Sequence, residues 1–390
     1  MRIAFFTQYS SLNGTYFRWH NLAIALKNAG HEVDVYAGDH NWKSAVRYEQ
    51  RDGIDYYLVP ALQSARIFYS PNDPLSSLRR LFKLPGRQYD VYHLFQPFLQ
   101  AYVPWNFLRR KKRTKAIFVY DWDDLWTGGL YNNPVDIRQR YMAAVTKYLE
   151  KKIPQKAEGI TVCSQFLANK ITEKRPVHRI YNGFWPKPQP DRTVLRKKWS
   201  LQPDQFYLGY VGKTADEMHW IIEGIQSLHK KGYTNTSLII CGPPRAYLEE
   251  RGVLALPYVR YLGELSPAEA GEISASVDLG MIPLENNLFN QSRFPIKFFD
   301  FVTVGTPVFL SAVGEIAIIA KQVRGAFTGP ANKEAWVSEL TAVVQNLQQN
   351  PVTIDVENLK EQFSWPVLAQ ALLSFYTTVQ QEKIDEHKER

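Results

Sequence analysis

Two cysteines are all that 390 residues carry, Cys163 and Cys241, and each closes a strand-like apolar run, "GITVC" and "SLIIC". So few thiols make neither a disulfide framework nor a zinc set, and they read as buried free thiols of a cytoplasmic protein. Long apolar runs are missing too: none approaches the roughly 20 residues that span a bilayer. The opening "MRIAFFTQYSSLNG" turns polar too early for a secretory leader and reads as a buried strand running into a loop. After that strand there is no G-x-G-x-x-G and no acidic residue at a matching strand end, which removes the main support for a dinucleotide oxidoreductase.

What is present fits a soluble globular protein, with 45% hydrophobic and 22% charged residues. The length suffices for two domains with real cores. The formal charge of +9 is concentrated in the first half, at Arg79, Arg80, Lys83 and Arg87 and again in "RRKKR" at 109–113. Such clusters bind nucleic acid or acidic lipid headgroups, or solubilise a helix end. No nucleic-acid module accompanies them, so nucleic acid is not an expected partner. Two clusters in one half set an expectation of weak, peripheral contact with the inner membrane face.

Strands and helices alternate along the first half. "RIAFFT", "EVDVYA", "IDYYLV", "DVYHLF", "KAIFVYD" and "GITVCS" read as strands, and Leu22, Ala25, Leu26 and Ala29 recur at helical spacing before Gly30. A long helix is expected around 135–157. Between 182 and 204 the proline-rich "NGFWPKPQPDR" reads as a linker. Alternation then resumes with "FYLGYVG", a helix over 217–230, "SLIICG", "VRYLG", "LGMIPL", a helix near 295–304 and "PVFLS". The fold class expected is α/β: two Rossmann-like α/β/α domains, 1–183 and 184–365, facing each other across a cleft. A C-terminal helix over about 366–390 is expected to pack back on the first domain.

Two stretches carry chemistry. In "RFPIKFFDFVTVGTPVFLS" (293–311) a helix starting near Pro295 offers backbone N–H groups and the positive end of its dipole to an anion. Arg293 and Lys297 flank that start and suit a diphosphate, and Asp300 suits the hydroxyls of a ribose. The same letters also describe an ordinary helix with a surface Lys–Asp pair. The second stretch is "YDWDDLW" (120–126), whose Asp121-Trp122-Asp123 is a D-x-D. It has three readings: a metal clamp for a nucleotide, a helix cap, or the lining of a pocket for a polyhydroxylated acceptor.

The 293–311 stretch resembles the P-x-K-x-x-E-(x)4-G-x-P-V signature of retaining glycosyltransferases of the GT-B fold, glycosyltransferase family 4 (group 1). "NGTYFRWHNLAIALKNAGHEVDVYAG", "LEKKIPQKAEGITVCSQFLANKI", "IYNGF", "LGYVGK" and "LIICGP" resemble further family segments in the same order. The resemblance implies transfer of a hexose from a nucleotide diphosphate sugar, UDP-glucose first, to a hydroxyl, with retained configuration. It implies Asn13 and Gly14 in the loop approaching the diphosphate. Gly212, Lys213, Lys297 and the turn Pro295–Ile296–Lys297 would bind the diphosphate, and Asp300 would stand for the family's ribose-binding glutamate. Tyr261 and Leu262 would lie beside the base, with Ser292, Arg293 and Phe294 beside the donor.

Two positions depart from the family pattern. Its second glutamate, eight residues before the ribose acid, is Ser292 here, with Asn287, Asn290 and Gln291 as polar neighbours. Its second basic residue falls on His219, a weaker phosphate partner when neutral. With protein cations on the diphosphate the resemblance implies no metal and no cofactor, and catalysis by Lys213, Arg293 and Lys297 stabilising the leaving charge. On the acceptor side His93 and Asp121 are the expected catalytic residues, with Asp123 beside them and Trp122 and Trp126 as stacking faces. The acceptor itself, a sugar or a lipid-linked sugar for a surface polysaccharide or glycolipid, carries no sequence mark. Two alternatives stay open: a metal-dependent D-x-D transferase, and a catalytically weakened nucleotide-sugar-binding protein.

Overall fold

A computed structural model describes the chain apart from residues 10–13, 40–44, 62–70, 85, 112–114, 131–133, 215, 353 and 389–390. Asn13, and Lys112 and Arg113 of the second basic cluster, therefore lie outside the described residues. The chain forms two compact units. One comprises Met1–Gly183, Ser292–Phe294 and Trp365–Arg390, the other Phe184–Gln291 and Pro295–Ser364.

The first unit is built on a sheet of β1 (Arg2–Tyr9), β2 (Glu32–Asp39), β3 (Arg47–Arg51), β4 (Ile54–Pro60), β5 (Val91–Phe95), β6 (Ile117–Trp122), β7 (Gly159–Val162) and β8 (Val177–Arg179). Their order is β3-β4-β2-β1-β5-β6-β7-β8, parallel except for the β3–β4 hairpin. β1 pairs with β2 on one side and β5 on the other, Ile3 facing both Val33 and Val91 in register. Helices α1 (Gly14–Asn28), α2 (Pro74–Phe82), α3 (Leu99–Arg110) and α4 (Ile137–Lys152) provide connections and cover. Burial on both faces explains why β1, β5 and β6 are nearly continuous apolar runs. α1 turns Trp19, Leu22 and Leu26 inward, and with them Arg18.

The second unit is a parallel sheet of β9 (Phe206–Val211), β10 (Thr236–Cys241), β11 (Val259–Tyr261), β12 (Leu279–Ile282), β13 (Val308–Ser311) and β14 (Ala326–Gly329), in the order β11-β10-β9-β12-β13-β14. Its helices include α5 (Met218–Lys230), α6 (Pro267–Ser276), α7 (Lys297–Val302) and α8 (Lys333–Gln349). Ile221, Ile225 and Leu228 of α5 and Trp336, Leu340 and Val344 of α8 close over Leu208, Ile240, Leu279 and Phe309 of the strands. A Cβ at Gly280 would lie 2.4 Å from the ring of Phe301, so this glycine lets α7 lie directly on β12. The strand order reverses between β9 and β12, and ligands of such sheets bind beyond the carboxyl ends of the strands at that point.

The last helix, α9 (Trp365–Lys388), belongs to the first unit and packs on α1. Phe375, Tyr376 and Val379 are buried, and Lys383 pairs with Glu158 at 2.8 Å. β3, β8 and β14 have no counterpart in the sequence reading. β3 is a charged hairpin arm, and β8 and β14 are short edge strands, so none has the two-sided apolar pattern. Arg80, counted among the solvent-facing basic residues, is instead 1% exposed and donates to the carbonyls of Thr7 (2.7 Å) and Tyr36 (2.8 Å).

Candidate functional site

In the second unit the carboxyl ends of β9, β10 and β11 are laced together. The Gly212 N–H donates to the Cys241 carbonyl at 3.1 Å, and the Gly242 N–H to that of Gly263 at 2.8 Å. Gly242 has φ +109°, and a Cβ there would sit 2.4 Å from the Gly212 oxygen, so only glycine admits this contact. Lys213 follows directly, its side chain 65% exposed and 3.5 Å from Glu264, a surface pair of small energy. Lys297 of α7 holds its ammonium 5.0 Å from the centroid of Tyr210, next to the end of β9. Asp300, one turn on, is reached by solvent. Protein nonetheless surrounds it closely enough that desolvation pushes its carboxyl up to about 6, against the pull of Lys297 and Lys187. The Asp300 charge in turn raises the Cys241 thiol, after burial, which places it near the end of β10. Two cations and one acceptor thus gather where strand order reverses, an arrangement suited to a diphosphate with an adjoining diol.

The start of α7 has fewer donors for an anion than a helix beginning at Pro295 would supply. Pro295 has no N–H, and those of Phe298 and Phe299 already donate to the carbonyls of Pro295 and Ile296. Tyr261 donates its hydroxyl to the Pro243 carbonyl at 2.7 Å, and the Leu262 N–H is spent on Ile240 at 2.9 Å.

In the first unit a polar cluster is buried beneath the ends of β5, β6 and β7. Arg18 donates from Nε to Asp121 Oδ2 and from Nη2 to Oδ1, both at 2.8 Å, and from Nη1 to Asn182 at 3.3 Å. Thr161 adds a hydroxyl to Asp121 at 2.6 Å. Burial alone would raise the Asp121 carboxyl, but the charge and hydrogen bonds of Arg18 hold it below the usual range. His93 lies between Phe5 and Phe95, with Nδ1 2.7 Å from the Tyr376 hydroxyl, and burial pushes its imidazole down to about 3. Asp123 is buried and pushed well up by desolvation, then by the charges of Asp124 and Asp121. Asp124 is partly exposed and pushed up to about 6 by desolvation, with Arg293 and Arg18 pulling the other way. Glu150 accepts from the N–H groups of Trp126 (2.8 Å) and Thr127 (2.9 Å).

The segment Ser292–Phe294 is part of this unit. Ser292 is fully buried, its hydroxyl accepting from the Leu125 N–H at 3.1 Å and its carbonyl from the Ser164 hydroxyl at 2.5 Å. Phe294 is buried beside Tyr181, and its carbonyl accepts from Asn182 at 2.6 Å.

Comparison with known proteins decides the family. Residues 13–185 match Glycosyltransferase Family 4, and residues 205–346 match Glycosyl transferases group 1. The chain belongs to glycosyltransferase family 4, group 1. A putative teichuronic acid biosynthesis glycosyltransferase, TuaH of Bacillus subtilis, is 26% identical over 203 residues. That match covers 49% of each chain, so this protein spans about half the length of the curated relative it matches. Among solved structures, sucrose-phosphate synthase of Thermosynechococcus elongatus superposes with TM-score 0.71 at 17% identity, covering 97% of this chain and 98% of the other. Anabaena HepE, in complex with UDP and glucose, gives 0.67 at 13% identity over 97% and 100%. WaaG, a glycosyltransferase of lipopolysaccharide biosynthesis, gives 0.62 at 17% identity over 98% of each. These likenesses establish the GT-B fold.

For a family 4 glycosyltransferase the signature positions divide unevenly. Gly212, Lys213, Pro295, Ile296, Lys297, Asp300, Tyr261 and Leu262 lie in the second unit, whereas Ser292, Arg293 and Phe294 lie in the first. Ser292 and Phe294, expected beside the donor, are both buried and hydrogen-bonded within the first unit. His93 and Asp121 are not open to solvent, each 1% exposed. Trp122 and Trp126 are also buried, Trp126 against Phe98 and Met142, so neither indole offers a stacking face. Gly14 opens α1 with open space where a Cβ would point. His219 is exposed, with Nδ1 3.3 Å from the Asp216 carbonyl. Arg18, Glu150, Thr161, Asn182 and Tyr376 are members of the buried cluster that sequence reasoning misses. Arg18 leaves one signal, a charge on the same helical stripe as Leu22 and Leu26.

Proposed function

We propose that this chain transfers a hexose from a nucleotide diphosphate sugar, UDP-glucose in the first instance, to a hydroxyl acceptor. Configuration is retained, no metal ion takes part, and the product belongs to a surface polysaccharide or glycolipid. The observation that carries the proposal is the grouping of Lys213, Lys297 and Asp300 at the ends of β9 and β10. In the transition state the sugar resembles an oxocarbenium ion and the diphosphate takes up charge. Lys213 and Lys297 stabilise that charge as it develops, and Asp300 orients the nucleotide through its ribose hydroxyls. Uridine and glucose are supported as first donors by HepE with UDP and glucose, and the polysaccharide setting by TuaH.

The D-x-D is better suited to holding Arg18 than a metal. Arg18 already places a cation against Asp121, within the field of Asp123. Asp121 and His93 then act as positioning residues, and Asp124, the partly exposed carboxyl, is the one placed to meet an acceptor. Asp124→Asn should lower kcat while leaving nucleotide affinity intact; a loss confined to affinity would end that assignment.

A calorimetric panel of UDP-, GDP- and ADP-sugars tests the whole proposal, and binding of none of them would refute it. Turnover that vanishes on chelation with EDTA would refute the metal-free form. Burial of Ser292, where the family carries its second glutamate, favours one rival: a protein that binds nucleotide sugar with little turnover. Binding without turnover in a single preparation would decide for that rival.

A further inference from the structure

Helix α2 is built inside out. Its inward face is polar: Ser76, Ser77 and Arg80 are each 1% exposed. Asp73 caps the helix, accepting from the N–H groups of Leu75 (3.1 Å) and Ser76 (3.2 Å), and its carbonyl accepts from the Ser77 hydroxyl at 2.7 Å. Arg80 fastens the other end to β1 and β2 and lies over the Tyr36 ring at 4.8 Å. The outward face is apolar. Leu75, Leu78 and Phe82 recur at i, i+3 and i+7 and are 47%, 45% and 80% exposed. Single exposed leucines need no account, but three large apolar side chains on one stripe, opposite a polar buried face, reverse the ordinary pattern.

The surroundings say what covers it. α2 packs beside α3, and the two start from one point: the Leu99 N–H donates to Asn72 at 2.9 Å and the Gln100 N–H to the Pro71 carbonyl at 3.1 Å. Neither helix contains an acidic residue, and besides the inward Arg80 both end in basic ones, Arg79 and Lys83 at the end of α2 and Arg109, Arg110 and Lys111 at that of α3. Phe107 of α3 is also exposed, at 38%, with the Lys111 ammonium 4.7 Å from its ring centroid. An apolar stripe on a pair of helices that carry cations and no acidic residue complements an anionic lipid surface. No helix among the described residues is long and apolar enough to cross a membrane, so contact through this face is peripheral.

We propose that α2 docks on an anionic phospholipid bilayer, Leu75, Leu78 and Phe82 entering the headgroup boundary while Lys83, Arg110 and Lys111 meet the lipid charge. The inference stands on α2 and α3 alone and is read without any sugar donor, so its failure leaves the transfer reaction untouched.

Co-sedimentation with phosphatidylcholine vesicles, with and without phosphatidylglycerol, tests it. The full chain should bind the anionic vesicles, release them as salt is raised, and lose about tenfold or more in affinity in the Leu78→Ser/Phe82→Ser variant. Phe82→Ser alone, at the most exposed position, keeps the test valid should the double variant fold poorly. Because Cys163 and Cys241 are buried, a Phe82→Cys variant carries one accessible thiol, and an environment-sensitive label there should brighten on anionic vesicles. No binding to anionic vesicles, or binding unchanged by both serine variants, overturns the proposal. Self-association in solution that the same variants abolish would overturn it in favour of an interface between copies of the chain.

Discussion

Arg18 and Asp121 meet fork to fork, Nε to Oδ2 and Nη2 to Oδ1 at 2.8 Å each, and both side chains are 1% exposed. A buried pair of this kind is costly to break from one side, since the remaining charge keeps its desolvation penalty and loses its partner. Arg18→Ala or Asp121→Ala is expected to destabilise the protein by about 3–5 kcal/mol in urea denaturation. The Arg18→Met/Asp121→Leu double variant should cost well under the sum of two single changes, because it strands no charge. Arg18→Lys should rescue little, since an ammonium cannot reproduce the two parallel bonds. Additive losses would mean that the two residues do not act as a pair.

His93 gives unit one a pH dependence with a definite sign. Unfolded, the imidazole takes up a proton near 6.5; folded, burial delays this to about 3. Between those values the unfolded chain binds more protons, so this contribution is present above 6.5 and is lost as pH falls, at roughly 1.4 kcal/mol per pH unit. The raised carboxyls of Asp124 and Glu150 work in the opposite sense, their stabilisation present in acid and lost as pH rises through their folded values. The difference between wild type and His93→Gln therefore isolates the histidine. Stability of the variant should decline less steeply from pH 6.5 downward, and parallel curves would mean that His93 is protonated in the fold.

The alternation of strands and helices was legible because both sheets are covered on two faces and their strands read as apolar runs. The same property hid the site. "DVYHLF" and "KAIFVYD" show His93 and Asp121 at strand ends but not that both are sealed, since a buried strand end and an open one have the same letters. Arg18 and Asp121 are 103 residues apart, and nothing local to either announces the other. Ser292 stood out as a departure from the family pattern, yet its partner Leu125 lies 167 residues away. α2 misled for another reason. Its arginines read as solvent-facing by default, whereas Asp73, Ser76 and Ser77 draw the polar face inward and turn the leucines out.

Lys297 and Asp300 should respond differently to pH when UDP-glucose binds, since the diphosphate diester of that ligand does not titrate near neutrality. Asp300 must be ionised to accept from both ribose hydroxyls, and its carboxyl lies at about 6. Affinity in calorimetry should therefore rise as pH is taken from about 5 to 7. Asp300→Asn should flatten that profile. Lys297→Ala should weaken binding by about 1.5–3 kcal/mol at every pH, the loss of one charge-assisted contact. A flat profile in wild type would remove Asp300 from the nucleotide site.

Gly242 tests whether the Lys213 turn belongs to the donor site without touching a charged group. At φ +109° an alanine is strained, and its Cβ would lie 2.4 Å from the Gly212 oxygen, so the turn carrying Lys213 has to shift. Gly242→Ala should cost about 1–3 kcal/mol of stability and weaken UDP-glucose binding as well. Gly252 is the control: its φ is +66° but a methyl group there would have no atom within 4 Å, so Gly252→Ala carries the backbone strain alone. That variant should lose about 1–2 kcal/mol of stability and keep its affinity. If Gly242→Ala also keeps full affinity, displacing the Gly212 turn does not matter to the donor, and Lys213 has no part in holding the diphosphate.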